Sequence, residues 1–256
     1  MNKKPLLIDL DGVLKLGEQP AKDTNEFFSF ITEHKIPACV LSNSTLRTGD
    51  MVKEFFSSNK ISLNFPAITA FDATLSYVKK NYKKIQVYCR DYLIHHFDGM
   101  IDDKNPEAIV IGDIGDRWNY QIVNDIFKRV LGGADLVAMH KSKYWNPEGE
   151  LLIDTGAFIT GIEYATSKEA IVIGKPSSHY FTAALEKIQS NFKDGFFMIG
   201  DDIESDIIAS QNLGGTGILV FTGKTKYPLD ESYRFNPDYE VHSLHEAINI
   251  LSIELN

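Results

Sequence analysis

The chain has 256 residues, of which 43% are hydrophobic and 24% are charged, so it can bury a sizeable core. Its formal net charge of −9 argues against a nucleic-acid or anionic-membrane partner, since both require a basic surface. No uninterrupted apolar segment is long enough to cross a bilayer, and Cys39 and Cys89 each lie in an apolar stretch, as expected for reduced thiols. These features predict a cytoplasmic protein.

Towards both ends of the chain, apolar runs of strand length alternate with stretches of helical periodicity. The predicted N-terminal elements are a strand at Leu6–Leu10, a helix at Ala21–His34, a strand at Ala38–Leu41 and a helix at Leu46–Ser58 capped by Ser44 or Thr45. The predicted C-terminal elements are strands at Ala170–Ile173, Phe196–Ile199 and Gly217–Phe221, helices at Ser178–Gln189 and Ser205–Leu213, and a final strand and helix from Tyr239. This alternation predicts an α/β fold with a doubly wound, Rossmann-like parallel sheet.

The middle of the chain has an alternation of its own. Its predicted elements are strands at Ile85–Cys89, Ala108–Ile111, Asp135–Met139 and Leu151–Asp154, and a clear helix at Tyr120–Leu131. This is enough material for a second, smaller α/β domain inserted into the first. We therefore predict a core domain of residues 1–70 plus 173–256, and an inserted domain of residues 71–172.

Two carboxylates follow the first predicted strand, in the stretch DLDGV. Asp9 and Asp11 lie two positions apart on an extended chain, so both side chains would face the same small volume. Two like charges so close are tolerable only if a cation lies between them or one acid is protonated. An exposed Asp-Gly turn would explain Gly12, which lets the backbone turn sharply, but it would not explain Asp9. The stretch therefore favours a functional pair of acids.

Polar groups also follow three other predicted strands. They are Ser42 and Asn43 in LSN, Lys175 in IGKP, and Asp201 and Asp202 in GDDIESD. If the four strands are neighbours in one sheet, these groups converge in the crevice at the carboxyl ends of the strands. Acids, a hydroxyl and a lysine in one crevice suit phosphoryl transfer through an acyl phosphate, with a hard divalent cation such as Mg²⁺ neutralising the charge.

Each of these groups also has an ordinary structural interpretation. Ser42 could begin a helix, Lys175 could be solvated, and Asp201 could complement a helix dipole. Asp113 in VIGDIGD competes with Asp201 for the metal site, because spacing alone does not separate the two. Suitable groups at four strand ends nevertheless favour one shared site over four coincidences.

The order of the motifs DLDGV, LSN, GKP and GDDIESD resembles that of the haloacid dehalogenase superfamily of phosphatases. The long insertion between the second and third motifs resembles the larger α/β cap of its subfamily IIA. The phrases HKSKYW, TGAFITGIEYAT and IVIGKP resemble the family of the phospholysine, phosphohistidine and inorganic pyrophosphate phosphatase. This resemblance covers nearly the whole chain, and it implies that the inserted domain is a cap and that Asp113 lies in it.

The resemblance also implies a role for each motif residue. The implied catalytic pair is Asp9, the nucleophile, and Asp11, the general acid and base. The implied phosphate ligands are Ser42, Asn43 and Lys175. The implied Mg²⁺ ligands are Asp9, Asp201 and the main-chain carbonyl of Asp11, with a supporting role for Asp202 or Asp206 left open. A small phosphorylated substrate and a homodimer through the caps are further implications.

The preferred hypothesis is a Mg²⁺-dependent phosphatase that hydrolyses a small phosphate monoester, or a similar small phosphorus compound, through an aspartyl-phosphate. A mutase or phosphotransferase on the same scaffold would keep every motif but exclude water. A receiver-like signalling module phosphorylated on an aspartate shares the acidic strand ends, but it needs no cap and would be about half this length. The substrate is not specified by spacing, and the candidate specificity residues are Asp116, Arg117, Trp118, Tyr144 and Trp145.

Overall fold

The structure is a computed structural model that describes residues 3–145, 150–230, 233 and 235–254. The strands are β1 (Leu6–Asp9), β2 (Lys15–Leu16), β3 (Gln19–Pro20), β4 (Ala38–Ser42), β5 (Ala67–Thr69), β6 (Ile85–Tyr88), β7 (Ala108–Ile111), β8 (Asp135–Ala138), β9 (Tyr144–Trp145), β10 (Leu152–Ile153), β11 (Ile171–Val172), β12 (Phe196–Gly200), β13 (Gly215–Val220) and β14 (Tyr239–Val241). The α-helices are α1 (Thr24–Glu33), α2 (Gly49–Ser58), α3 (Ala70–Asn81), α4 (Asp91–Ile94), α5 (Tyr120–Leu131), α6 (Thr155–Thr166), α7 (Ser178–Lys187), α8 (Ala209–Gln211) and α9 (Leu244–Glu254).

The chain forms two compact units. The first unit consists of residues 1–42, 48–68 and 175–256, and the second unit consists of residues 43–47 and 69–174. Most of the second unit is therefore one segment that interrupts the first unit in the sequence. The roles of catalytic core and cap for these units stay predictions.

The first unit is built around a six-stranded sheet in the order β14-β13-β12-β1-β4-β5. The pairs on both sides of β1 are parallel, with Leu6 opposite Phe197 on β12 and opposite Ala38 on β4. The central strands are continuous apolar runs because both of their faces are covered, and β1 is buried along its whole length. Phe28 and Phe56 pack edge to face beneath the sheet, with ring centroids 5.1 Å apart. The predicted α/β fold with a parallel sheet is confirmed.

The second unit contains a four-stranded parallel sheet in the order β11-β8-β7-β6. Helix α5 begins and ends at the predicted residues, and its apolar side packs on this sheet through Ile126 and Val130. Strand β7 also has its predicted bounds. Strands β9 and β10 form a separate antiparallel pair rather than extending the sheet.

The strand predicted at Ala170–Ile173 belongs to a different sheet from the one expected. Its observed part, β11, pairs in parallel with β8, with Ile171 opposite Val137, and so lies in the second unit. The prediction that Lys175 follows a strand of the main sheet is therefore wrong. A short apolar run indicates a buried strand, but it does not specify which strand will pair with it. Lys175 is instead placed in the first unit by the short segment that leads into α7.

Helix starts also differ from the predictions, because capping depends on where the chain leaves the preceding strand. Helix α2 is capped by Thr48, whose hydroxyl accepts a hydrogen bond from the Met51 amide at 3.3 Å, and not by Ser44 or Thr45. The sequence prediction omits α3, although Thr69 and Asp72 form a capping box at its start. The helix predicted from Ser205 begins instead as a π-helical turn over Ile203–Ile208.

Two expectations from composition concern the described residues alone. Cys39 and Cys89 are both buried thiols. Among the helices of the described ranges, none combines the length and the apolar character that crossing a bilayer requires.

Candidate phosphoryl-transfer site

Three acids meet at the carboxyl edge of the main sheet in the first unit. Asp9 ends β1, and Asp201 directly follows β12, the parallel neighbour of β1. Asp206 lies in the π-helical turn after β12. Each of the three offers a carboxylate oxygen within 4.8 Å of the others, and all three side chains are buried. The sequence predicted Asp9 and Asp201 here, and of the two supporting acids it left open, the structure brings Asp206 into the cluster.

The ammonium group of Lys175 lies among these acids. It donates a hydrogen bond to Asp9 Oδ1, and its Nζ lies 2.7 Å from Asp206 Oδ1. Lys175 is only 6% exposed, so water contributes little to its solvation or to that of the acids. Buried charges require partners, and one ammonium cannot balance three ionised carboxylates.

The titration of the cluster reflects this shortage of positive charge. Burial raises the pKa of Asp9 well above its ordinary value, although Lys175 opposes the shift. Burial, reinforced by the charge of Asp206, also raises the pKa of Asp201 to about 6. Burial works against the charged form of Lys175, but Asp206 and Asp9 outweigh it and hold the pKa of this lysine well above its ordinary value. The lysine therefore stays charged, and the acids resist ionising together.

The donor set of this cluster fits Mg²⁺. The ligand atoms of Asp9, Asp201 and Asp206 are all carboxylate oxygens, the hard donors that this ion prefers. A divalent cation would supply the positive charge that the cluster lacks and would reverse the upward pKa shifts of the acids. These three residues can therefore hold a metal ion.

The loop of residues 222–225 fixes the orientation of Asp201. The Lys224 amide donates to Asp201 Oδ2 at 2.6 Å, and the Thr225 amide donates to the Asp201 carbonyl at 2.9 Å. A Cβ atom on Gly12 or on Gly223 would collide with the Asp201 carboxylate, and Gly12 also has a φ of +91°. No sequence motif was assigned to this loop, although a Thr-Gly pair directly after a predicted strand was an available signal.

Ser42 and Asp11 form a second polar pair in the first unit. Ser42 ends β4, and its hydroxyl donates to Asp11 Oδ2 at 3.1 Å. The side chain of Asp11 is 58% exposed, whereas Asp9 is buried. Because β1 ends at Asp9, the strand alternation that predicted a shared volume for both acids does not extend to Asp11.

Tyr180 on α7 anchors the strand end that carries Ser42. Its hydroxyl accepts from the Ser42 amide at 2.9 Å and lies 2.7 Å from the Ser42 carbonyl and 2.9 Å from the Ile68 carbonyl. The ring is fully buried, and burial raises the pKa of the phenol well above its ordinary value. Tyr180 is therefore a neutral group that links the end of β4 to Ile68 in β5, and no motif in the sequence pointed to it.

The remaining predicted residues have other surroundings. Asn43 belongs to the second unit, where its Oδ1 lies next to Gly174. Asp202 caps the π-helical turn by accepting from the Glu204 amide at 3.0 Å, and its other oxygen pairs with Lys224, so its carboxylate does not belong to the buried cluster. Asp113, the competitor for the metal site, lies in the second unit.

The residues considered for specificity lie in the second unit. Trp118 stacks on Phe158 with ring centroids 4.4 Å apart, and Arg117 forms an ion pair with Asp91 at 2.5 Å, so both have structural partners. Tyr144 is well exposed, whereas the side chain of Trp145 lies outside the described part of the structure. Asp116 belongs to a short 3-10 turn over Gly115–Arg117.

Two segments of the chain match described protein families. Residues 6–100 match the family described as haloacid dehalogenase-like hydrolase, and residues 172–247 match the HAD-hydrolase-like family. These segments contain the ends of β1, β4 and β12, where Asp9, Ser42 and Asp201 lie.

Matches to individual proteins cover more of the chain than either of these segments. The chain is 30% identical to "Haloacid dehalogenase-like hydrolase domain-containing protein 2" of Bos taurus, over 91% of this chain and 89% of the relative. It is 35% identical to "Phospholysine phosphohistidine inorganic pyrophosphate phosphatase" of Homo sapiens, over 63% of this chain and 62% of that protein. The solved structure of "p-nitrophenyl phosphatase from Archaeoglobus fulgidus" has the same fold, with a TM-score of 0.88, 23% identity and coverage of 98% of this chain and 100% of that one.

Proposed function

The chain belongs to the haloacid dehalogenase-like hydrolase family, and we propose that it is a Mg²⁺-dependent phosphatase of small phosphorylated compounds. The observation that carries this proposal is the buried cluster of Asp9, Asp201 and Asp206 around Lys175. A cluster with more acids than bases, placed at the carboxyl ends of parallel strands, is suited to binding a divalent cation together with a phosphate group. The phosphatase names of two of its relatives support the same reaction class.

In the proposed first step, Asp9 is the nucleophile. One of its carboxylate oxygens attacks phosphorus, the bond from phosphorus to the leaving oxygen breaks, and Asp11 gives its proton to that oxygen. The greater exposure of Asp11 suits this role, because its carboxyl group can exchange protons with solvent and reach a leaving group outside the buried cluster.

In the proposed second step, Asp11 removes a proton from water while the water oxygen attacks phosphorus. The bond between phosphorus and the Asp9 oxygen breaks, which releases inorganic phosphate and restores the Asp9 carboxylate. Asp11 ends this step protonated, as it began the first, so the cycle closes without another reactant.

The other predicted residues bind the substrate or the metal in this proposal. The Ser42 hydroxyl and the Lys175 ammonium are donors for the phosphate oxygens, with Asn43 as the third predicted phosphate ligand. Asp9, Asp201 and the main-chain carbonyl of Asp11 would hold the Mg²⁺, and Asp206 would support them by holding Lys175. When bound, Mg²⁺ supplies charge neutralisation for the phosphate and for the acids.

Phosphate release tests this proposal. Purified protein is incubated with p-nitrophenyl phosphate and with a panel of small phosphate monoesters, with Mg²⁺ or with a chelator, and inorganic phosphate is measured. We expect release that requires Mg²⁺ and that is lost in Asp9→Asn. Release that persists in the chelator, or in Asp9→Asn, would contradict the proposed metal or the proposed nucleophile.

A further inference from the structure

The side chain of Lys15 is a buried cation beside the exposed acid of the candidate site. Lys15 begins β2 in the short β2–β3 hairpin that follows the Asp9–Gly12 stretch. Its Nζ lies 3.8 Å from Asp11 Oδ1, yet Lys15 is only 6% exposed. A lysine is rarely buried unless it is paired, so this placement requires a reason.

Several contacts hold the ammonium group of Lys15 in place. It donates to the Gly17 carbonyl and lies 3.1 Å from Glu18 Oε1, both in the hairpin turn. The ring of Phe55 provides a further favourable face 5.7 Å away. The cation therefore has a fixed position, unlike a solvated lysine at the end of a mobile side chain.

The backbone connects the hairpin to the segment that carries Asp11. The Lys15 amide donates to the Leu10 carbonyl, and the Gly12 amide donates to the Lys15 carbonyl, each at 2.8 Å. Asp11 and Lys15 form a β-bridge. Movement of Lys15 relative to Asp11 would break these hydrogen bonds, so the two residues form one local structure.

The two oxygens of the Asp11 carboxylate have different partners. Ser42 donates to Oδ2 at 3.1 Å, and Lys15 faces Oδ1 at 3.8 Å. An aspartate that is 58% exposed would otherwise change rotamer freely in water. Ser42 and Lys15 therefore restrain the carboxylate from both sides.

We propose that Lys15 is a positioning residue that orients the Asp11 carboxyl group for proton transfer to and from the leaving group. This inference rests on the proposed function, because it assigns a consequence to the orientation of the proposed general acid. Proton transfer requires the acid to be within hydrogen-bond reach of the leaving oxygen, and an error of about 1 Å in such a position can cost up to about 100-fold in rate.

The test compares substrates that differ in their need for the acid. Phenyl phosphate and p-nitrophenyl phosphate have similar shapes, but phenolate is the poorer leaving group and requires more help from a proton donor. We expect Lys15→Met to lower kcat/KM, which reports the first step where the leaving group departs, by about tenfold on phenyl phosphate and by about twofold on p-nitrophenyl phosphate. Lys15→Arg, which keeps the cation, should restore the wild-type ratio of the two rates.

A matched control and a double-mutant cycle separate positioning from folding. Glu18→Gln removes the charge of the other carboxylate beside Lys15 but keeps an oxygen acceptor for its ammonium group, so it should leave the ratio of rates unchanged. In an Asp11→Asn background, Lys15→Met should cause no further change in that ratio, since it acts through Asp11. If Lys15→Met does not fold, Lys15→Gln takes its place, because glutamine keeps a donor for the Gly17 carbonyl.

Equal losses of kcat/KM on the two substrates in Lys15→Met, or a full effect that persists in Asp11→Asn, would overturn the inference and leave the proposed function intact. No phosphate release by the wild-type protein from these two substrates or from the panel of small phosphate monoesters would overturn the proposed function itself, and the role of Lys15 with it.

Discussion

The strand ends Val-Ile-Gly-Asp at residues 110–113 and Met-Ile-Gly-Asp at residues 198–201 have nearly the same local sequence but different surroundings. At the end of β12, Asp201 lies buried beside two further acids and one lysine. At the end of β7, Asp113 accepts from the Gly115 amide at 2.5 Å and lies 3.3 Å from the Arg90 guanidinium. The first is a cluster with excess acid, and the second is an aspartate with its own counterion.

The glycine in each strand end shows how the surroundings differ. A Cβ atom on Gly200 would collide with the Asp206 carboxylate, whereas one on Gly112 would lie 2.7 Å from the sulfur of Met139. The glycine at this position of the motif thus leaves room for a carboxylate in the first unit and for a thioether in the second. What makes an aspartate a candidate metal ligand here is the set of neighbours that the fold supplies, since the local sequence is shared.

The largest expected effect is the loss of turnover in Asp9→Asn. An amide is nearly isosteric with the carboxylate, but it neither attacks phosphorus nor binds Mg²⁺ well, so we expect kcat to fall by at least about 1000-fold with the fold intact. Inorganic phosphate release and circular dichroism measure the two quantities. More than a few per cent of wild-type activity in Asp9→Asn would remove Asp9 as the nucleophile of the buried cluster.

Removing the cation that pairs with the acids near each strand end should lower the free energy of unfolding by different amounts. Lys175→Met leaves buried acids without their counterion, and we expect it to lower the free energy of unfolding by about 3 kcal/mol or more without metal. Arg90→Met is the matched control in the second unit, where the ion pair is partly exposed, and should cost about 1 kcal/mol or less. Urea titrations measure the free energy of unfolding of both variants. Equal losses would show that burial does not distinguish the two sites.

The metal-free stability should depend on pH in a direction set by the raised pKa values. Burial holds the pKa of Asp201 near 6, whereas that of an aspartate in the unfolded chain is about 3.9. The folded protein therefore binds more protons between about pH 4 and pH 6, and this contribution to stability, present at low pH, is lost as the pH rises through that window.

For Asp201 this loss is about 2 kcal/mol between pH 4.5 and pH 7. Urea unfolding in chelator, compared with Asp201→Asn, isolates this contribution, and Mg²⁺ should abolish it in the wild-type protein. If wild type and Asp201→Asn show the same pH dependence, the carboxyl group of Asp201 does not titrate as its burial requires.

The smallest expected effect comes from crowding Asp201 without removing it. Gly223→Ala places a methyl group against the Asp201 carboxylate, and we expect Mg²⁺ affinity to fall about tenfold while the fold remains. Gly161→Ala in α6 is the control, because its Cβ has no neighbour within 4 Å and should change stability by about 1 kcal/mol or less, in the stabilising direction. Calorimetric Mg²⁺ titration would contradict the role of the 222–225 loop if both variants bound the ion equally.

Much of the fold follows from sequence pattern because burial imposes periodicity. Helix α5 has a strongly one-sided apolar pattern and was predicted with both of its ends. The partner of β11 could not be predicted, since a short apolar run is equally suited to either sheet. The cap of α2, Thr48, could not be predicted either. Several polar residues precede this helix, and the geometry of the loop decides which of them caps it.

As with the fold, the sequence predicted part of the candidate site. Asp9 and Asp201 could be predicted from motifs at strand ends, and the structure places them together. The sequence could not predict that Asp206, and not Asp202, joins the cluster. That outcome depends on the π-helical turn, which directs Asp206 inward and Asp202 towards Lys224. Tyr180 lies 138 residues from Ser42 in the sequence, a separation at which local pattern carries no information on contact.

The most direct measurement of the central claim compares Asp201→Asn with Asp113→Asn. Both variants replace the last residue of the same local motif, so Mg²⁺ titration and Mg²⁺-dependent phosphate release report only the difference in surroundings. We predict that Asp201→Asn lowers turnover by about 100-fold or more and weakens Mg²⁺ binding, while Asp113→Asn changes both by about twofold or less. Loss of Mg²⁺ binding in Asp113→Asn with Asp201→Asn unaffected would contradict the account and move the metal site to the second unit.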